Sequence, residues 1–248
     1  MRIAVLSDIH ANLPALDAVL ADAGHVDAVW QLGDNVGYGP EPDAVVERLR
    51  DVGAIGVRGN HDSAACGGPE IDWFNPDARR AMEWTRRAIA PTTEAWLAAL
   101  PERLADGPCR LVHGSLREPL WEYVTSEAVA RDNIALLADG GRVGLHGHTH
   151  MPIAFVEEAA APRDRGRLQT VRPRSGASLE LKGRRAFVNP GSVGQPRDGH
   201  PEASYLLWEP EADRLTWRRA AYDIEAVQRL MREAGLPATL AARLSLGR

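Results

Sequence analysis

In the stretch RVGLHGHTHMP, His146, His148 and His150 stand at alternate positions directly after an apolar run. The chain has only eight histidines in 248 residues, so three in file invite a chemical reading. Four other polar clusters share this setting: SDIH follows IAVL, GDN follows VWQL, GNHD follows IGVR and HGS follows CRLV. Together they supply Asp8, His10, Asp34, Asn60 and His113, which join His148 and His150 as candidate metal ligands. Carboxylate oxygens, one amide oxygen and imidazole nitrogens, with no thiolate, suit borderline divalent ions. Manganese foremost, then iron, zinc, nickel or cobalt, fits that mixture better than magnesium. The donors are too many for one tetrahedral ion and suit two divalent metal ions sharing a carboxylate. Such a pair carries more positive charge than Asp8 and Asp34 cancel, so the pocket attracts phosphate inside an acidic protein. Two ions roughly 3.5–4 Å apart can bridge a water, lower its pKa and present hydroxide in line with a bound phosphorus.

The elements that must position these residues are short. IAVL, DAVWQL, AIGV, CRLV and RVGL read as buried strands within the first 150 residues, alternating with helical stretches. NLPALDAVLADAG is a helix with Asn12 as its N-cap, and PDAVVERLRDVG is another. Residues 76–100 read as helix broken at Pro91, and 126–138 as a further helical stretch. Every polar cluster lies just past the carboxyl end of a strand, the edge at which open α/β sheets bind ligands. On an extended backbone, side chains two apart share a face. Asp8 and His10 are therefore expected to project together, as are His148 and His150. His146 lies one step deeper in its strand and reads as core or as support for the ligands.

After Pro152 the texture changes: IAFV, RLQTV, RAFVN, ASYLLWE and RLTWRRA read as largely antiparallel strands, and a last helix is expected near 223–234. The irregular segment 157–185, with eight basic and four acidic residues, reads as a solvated hairpin or mobile loop, the alternative being a phosphate-facing basic lip. One domain over residues 1–248 is expected. A formal charge of −5 argues against a stable nucleic-acid complex. No apolar run approaches the length of a membrane span, and the four-residue run before Ser7 is too short for a signal peptide, so a cytoplasmic protein is expected. Cys66 and Cys109 form no CxxC pair and read as reduced thiols.

The series DIH, GDN, GNHD, H and GHTH resembles the signature of the calcineurin-like metallophosphoesterases, and NPGSVGQPR (189–197) resembles their small bacterial and archaeal phosphodiesterase branch. The resemblance runs from Asp8 to about Arg197. It implies an α/β fold, a four-layer α/β/β/α sandwich of two mixed sheets with a dinuclear site at the strands' carboxyl edge. It also implies that Asp8, His10 and His150 hold one ion, that Asn60, His113 and His148 hold the other, and that Asp34 bridges them. His61 would contact phosphate and protonate the leaving group, with Asp62 orienting it. Ala11 stands where many relatives have glycine.

Asn12, Arg58, Tyr38 and Arg197 are the candidate substrate contacts. Trp73, Trp84 and Trp96 read as helix packing rather than as a base-stacking platform. Specificity is expected to lie in 63–105, 115–125 and 157–185. The implied activity is hydrolysis of a small phosphorylated substrate, a phosphodiester and also a phosphomonoester or nucleotide. Alternatives are a dinucleoside polyphosphate hydrolase, a protein phosphatase, or a non-catalytic metal-binding scaffold. A homo-oligomer is compatible with all of them.

Overall fold

The apolar runs form two mixed six-stranded sheets in a computed structural model that describes residues 1–137, 140–158 and 167–248. In the first sheet, β1 (Ile3–Leu6), β2 (Ala28–Gln31) and β3 (Ile55–Gly56) run parallel. The second contains β4 (Arg103–Asp106), β5 (Cys109–Val112), β6 (Val143–Leu145), β7 (Ile153–Glu157), β8 (Leu168–Val171) and β10 (Ala186–Asn189). There β5, β6 and β10 are parallel, and β4, β7 and β8 antiparallel to their neighbours. The strand β9 (Ser178–Glu180) returns to the first sheet with β11 (Ala203–Glu209) and β12 (Arg214–Ala220). The orders are β3-β2-β1-β11-β12-β9 and β4-β5-β6-β10-β7-β8.

Strand alternation divides the apolar residues between two interfaces. Ile3 and Val5 of β1 turn inward with Trp30 and Leu32, meeting Leu111, Leu145 and Val188 of the other sheet. Ala4 and Leu6 turn outward onto Ala15, Leu16 and Val19 of α1 (Leu13–Ala23) and onto Val45 and Leu49 of α2 (Pro42–Asp51). On the far side, Phe155 and Phe187 pack against Ala130 and Ile134 of α6 (Glu127–Ala135). Helices, sheet, sheet and helix thus stack in the four layers expected.

The remaining helices close one end. The short α3 (Asn60–Ala65) begins on the GNHD motif itself. The 76–100 stretch divides as expected into α4 (Pro76–Ala88), capped by Asn75, and α5 (Pro91–Ala99). The expected last helix is α7 (Ile224–Glu233), but α8 (Ala238–Leu244) follows it and packs with it and α4. The sequence reading also omits β4 and β9. Both are edge strands, and β4 has only Leu104 half-buried, so neither carries a clear apolar alternation. Residues 138, 139 and 159–166, at the end of the 126–138 stretch and inside 157–185, lie outside the described residues. Both cysteines are free. Among the described residues no helix is long and apolar enough to cross a membrane.

Trp217 ties the two sheets together: it is buried in the shared core, and its Nε1–H donates to the carbonyl of Asn189 at 3.0 Å. Trp217→Ala removes both the packing and the bond. It should cost about 3–5 kcal/mol, read as a lowered urea midpoint with an unchanged slope; a shift of a few tenths of a kcal/mol would show that the sheets do not depend on it.

Candidate metal centre

The loops past β1 and β2 are zipped together by their backbones. Asp8 N–H donates to Gly33 O, His10 N–H to Asp34 O and Ala11 N–H to Asn35 O, at 2.9–3.1 Å. On the other flank, Val193 N–H and Gly194 N–H donate to the carbonyls of Ser7 and Asp8. The turn at 147–150 is held by Asn189, whose amide donates to Gly147 O at 2.7 Å and to Thr149 Oγ1 at 3.1 Å. Asp8, His10, Asp34, His148 and His150 all have φ between 50° and 65°. This corrects the extended-backbone premise: the paired histidines and the Asp8–His10 pair converge from left-handed turns. Ala11 shares that conformation at φ 51°, which explains glycine's suitability there.

All seven candidate ligands are buried and meet. Asp8, His10, Asp34 and His150 form one group, and Asp34, His113 and His148 a second, with the donor atoms of each group within 4.8 Å of one another. Asn60 Oδ1 joins the second group, 3.0 Å from His113 Nε2. Asp34 belongs to both: its Oδ2 lies 3.3 Å from His113 Nε2 and 3.7 Å from His10 Nε2.

The hydrogen bonds on the far side of each ring fix where the lone pairs point. His10 Nδ1–H donates to Val36 O at 3.2 Å and His150 Nδ1–H to Gln195 O at 2.6 Å. Both Nε2 atoms therefore carry lone pairs, yet they face each other at 3.2 Å. That contact is repulsive unless a cation sits between them. His113 repeats the arrangement, with Nδ1–H on Leu32 O at 2.8 Å and Nε2 turned to His148 Nδ1 at 3.1 Å. Burial holds His10, His148 and His150 well below the usual histidine range, so they present neutral rings. Burial opposes ionisation of Asp34 too, but His113, His61 and His10 outweigh it and hold its carboxyl well below the usual range. Burial would also lower His113, but Asp34 and then Asp8 reverse that and raise it to about 9. A buried carboxylate beside the neutral rings of His10, His148 and His150 fits divalent cations, which would displace the proton from His113, and the N/O donor set suits borderline metals.

The other expected site residues divide. His61 lies between Tyr38 and Phe74, with ring centroids at 4.4 and 4.5 Å, and burial pushes it down to about 4. Asp62 does not reach it. Its carboxylate accepts from the backbone N–H of Asn35, Val36 and Gly59 and from the Asn35 amide, at 2.8–3.2 Å, while His61 Nδ1 has no partner. A carboxylate one residue along a helix points away from its neighbour's ring, so Asp62 instead ties the 34–36 loop to α3. Asn12 caps α1 through Oδ1 and donates its amide to Gly194 O, so it braces the loop beside the site. Arg58 turns to Glu102 at 3.2 Å, outside the cavity, because the chain enters α3 immediately after it. Tyr38 and Arg197 do line the cavity, with the guanidinium 5.9 Å above the phenol ring. His146 is core: it stacks on Phe187 at 4.8 Å, and burial pushes it down to about 3.

Above the ligands opens a cavity of about 100 Å³. Three of its lining residues, His61, His148 and Arg197, each hold a buried nitrogen without a hydrogen-bond partner. Trp73, Phe74, Trp121 and Tyr123 complete its wall. Trp73 is 67% exposed, which corrects its reading as helix packing. Trp84 and Trp96 are packed among helices as expected. Of the three expected specificity segments, 63–105 and 115–125 reach this cavity. The described part of 157–185 instead lines a separate hollow of about 560 Å³ through Arg172 and Arg174, where Thr149 and Met151 contribute but no candidate ligand does.

The calcineurin-like phosphoesterase superfamily domain matches residues 1–213. An uncharacterized protein of Methanocaldococcus jannaschii is 34% identical over 99% of this chain and 98% of its own length. Phosphodiesterase YfcE of Escherichia coli is 30% identical over 83% of this chain and 85% of its own. The crystal structure of a metallophosphoesterase from Sphaerobacter thermophilus superposes with a TM-score of 0.88 at 44% identity, covering 100% of this chain and 99% of that one.

Asp62→Asn places an amide where four N–H groups donate. The loop carrying Asp34 should shift, weakening manganese binding about 10- to 100-fold by calorimetric titration; affinity equal to the parent's would show that Asp62 does not position the ligands.

Proposed function

The chain belongs to the calcineurin-like phosphoesterase superfamily and is a metal-dependent phosphoesterase; we propose that it hydrolyses small phosphodiesters on two divalent ions, manganese by preference. One observation carries this reading: the Asp34 carboxylate is common to both ligand groups. Asp8, His10 and His150 would hold one ion, Asn60, His113 and His148 the other, with Asp34 between. Two ions held there supply an activated water and take up charge on the phosphoryl oxygens.

The chain's own residues do the rest. Arg197 has a buried, unpartnered Nε and would pair with a non-bridging phosphate oxygen, with Tyr38 beneath it. His61 would donate a proton to the departing oxygen as the P–O bond breaks. Burial makes its ring neutral at pH 7, and a phosphate anion alongside raises its proton affinity toward the working range. Phe74 and Tyr38 clamp that ring in place of a carboxylate. Ligands drawn from residues 8 to 150 and from both sheets support reading residues 1–248 as one working domain.

Calorimetric titration of chelator-stripped protein should give two manganese ions per chain, and their return should restore turnover of bis-p-nitrophenyl phosphate. A stoichiometry of one, or turnover indifferent to chelation, would overturn the two-ion reading. His61→Ala should keep both ions while kcat falls about 10²–10⁴-fold; an unaltered kcat would remove His61 from proton transfer.

A further inference from the structure

The cavity over the ligands, about 100 Å³, admits a phosphoryl group and little more. Pockets that enclose whole organic ligands run to roughly 300–1,000 Å³. Whatever substituent the phosphorus carries must therefore lie across the cavity mouth, and that mouth is aromatic. Trp73 ends the 3₁₀ turn Pro69–Trp73 and packs edge-on against Trp121, with centroids 5.2 Å apart at 65°. Tyr123 stacks flat on the His148 ring, 4.0 Å between centroids at 18°. Trp73 is 67% exposed and Tyr123 49%. Of the large apolar side chains left exposed among the described residues, these are the aromatic ones, and both stand at this opening. Core packing does not account for them. The buried tryptophans Trp208 and Trp217 show what packing does with this residue, and even the helix-borne Trp84 and Trp96 are half covered.

We propose that Trp73 and Tyr123 form a stacking subsite for a planar aromatic substituent on the phosphate, so that the substrates are nucleoside phosphoesters. Two flat π faces flanking a phosphate-sized hole match a nucleobase joined to phosphate through a sugar. Trp121 braces Trp73 from beneath and also contacts His148 edge-on at 6.0 Å, which couples the platform's position to the ligand cluster. Stacking of this kind tolerates any base, because every base has a π face. The subsite presupposes the phosphoesterase reading above, since it orients a phosphate over the metal ligands.

The test compares adenosine 5′-monophosphate with ribose 5-phosphate, which differ by the base alone, by calorimetric titration into the manganese-loaded protein. The nucleotide should bind about 5- to 100-fold more tightly. Trp73→Ala and Tyr123→Ala should each narrow that ratio, and Trp73→Phe should keep most of it. Equal affinities in the parent protein would overturn the subsite, as would a ratio that survives both alanine variants. Absence of turnover on every phosphoester, with the ratio intact, would sink the hydrolase reading while the subsite stands.

Discussion

One buried carboxylate sets the terms for the whole architecture. Asp34 has to serve two groups of donors, three of whose rings come from the second sheet, while it hangs from the end of β2 in the first. The carboxyl ends of β1, β2, β5 and β6 must therefore meet within side-chain reach of a single point. Two sheets packed face to face can do this only if their parallel strands end at the same edge. The loops must also approach more closely than side chains would allow. A Cβ on Gly59 would come 2.1 Å from Asp34 Oδ1, and one on Gly33 would come 2.5 Å from the Gly59 nitrogen. The two motif glycines are the contact surface between the second and third loops.

The same constraint explains the strained backbone. Five of the seven ligand candidates lie in the left-handed region, where a non-glycine residue costs roughly 1–2 kcal/mol. So many together cannot be incidental, and such strain collects where surrounding structure over-determines it. Here the ladder from Asp8, His10 and Ala11 to residues 33–35, with Val193 and Gly194 on the other side, supplies that support. Each turn swings a ligand inward within five residues of leaving its strand. An extended chain would have carried the side chain past the centre.

That geometry also marks what could be read from the sequence. The donors were legible because metal chemistry restricts residue types and because each cluster follows an apolar run. The layer order was legible from alternation in segments such as Ile3–Leu6. Asp8 and His10 do share one donor group, but the loop ladder to residues 33–35 and not an extended strand brings them there. Asp62, Asn12 and Arg58 were misread for a common reason. A polar residue beside a ligand looks functional in one dimension, but hydrogen-bonding groups in a crowded loop are drawn to the nearest backbone or ion-pair partner. Asp62 found N–H groups, Asn12 a helix end and Arg58 a glutamate. Phe74 and Tyr123 went unmarked because their part depends on contacts with His61 and His148 that no local pattern encodes.

The stability of the molecule is divided along the same line. Between the sheets the core is apolar and satisfied, from Ile3 to Trp217. At the carboxyl edge, Asp8, Asp34 and Asp62 are all buried, and burial pushes Asp8 and Asp62 up to about 7, with the charge on Asp34 adding to both. Burying like charges disfavours folding unless cations or hydrogen bonds offset it. Asp62 has its four donors, whereas Asp8 accepts the backbone N–H of His148 and Asp34 that of His61 beside His113, with the neutral rings of His150 and His10 turned toward them. Divalent ions would remove both penalties, the carboxylate charge and the ring-to-ring repulsion between His10 and His150. Ion binding and folding of this edge are therefore one equilibrium, and the left-handed turns are held most firmly when the ligands they carry have something to hold.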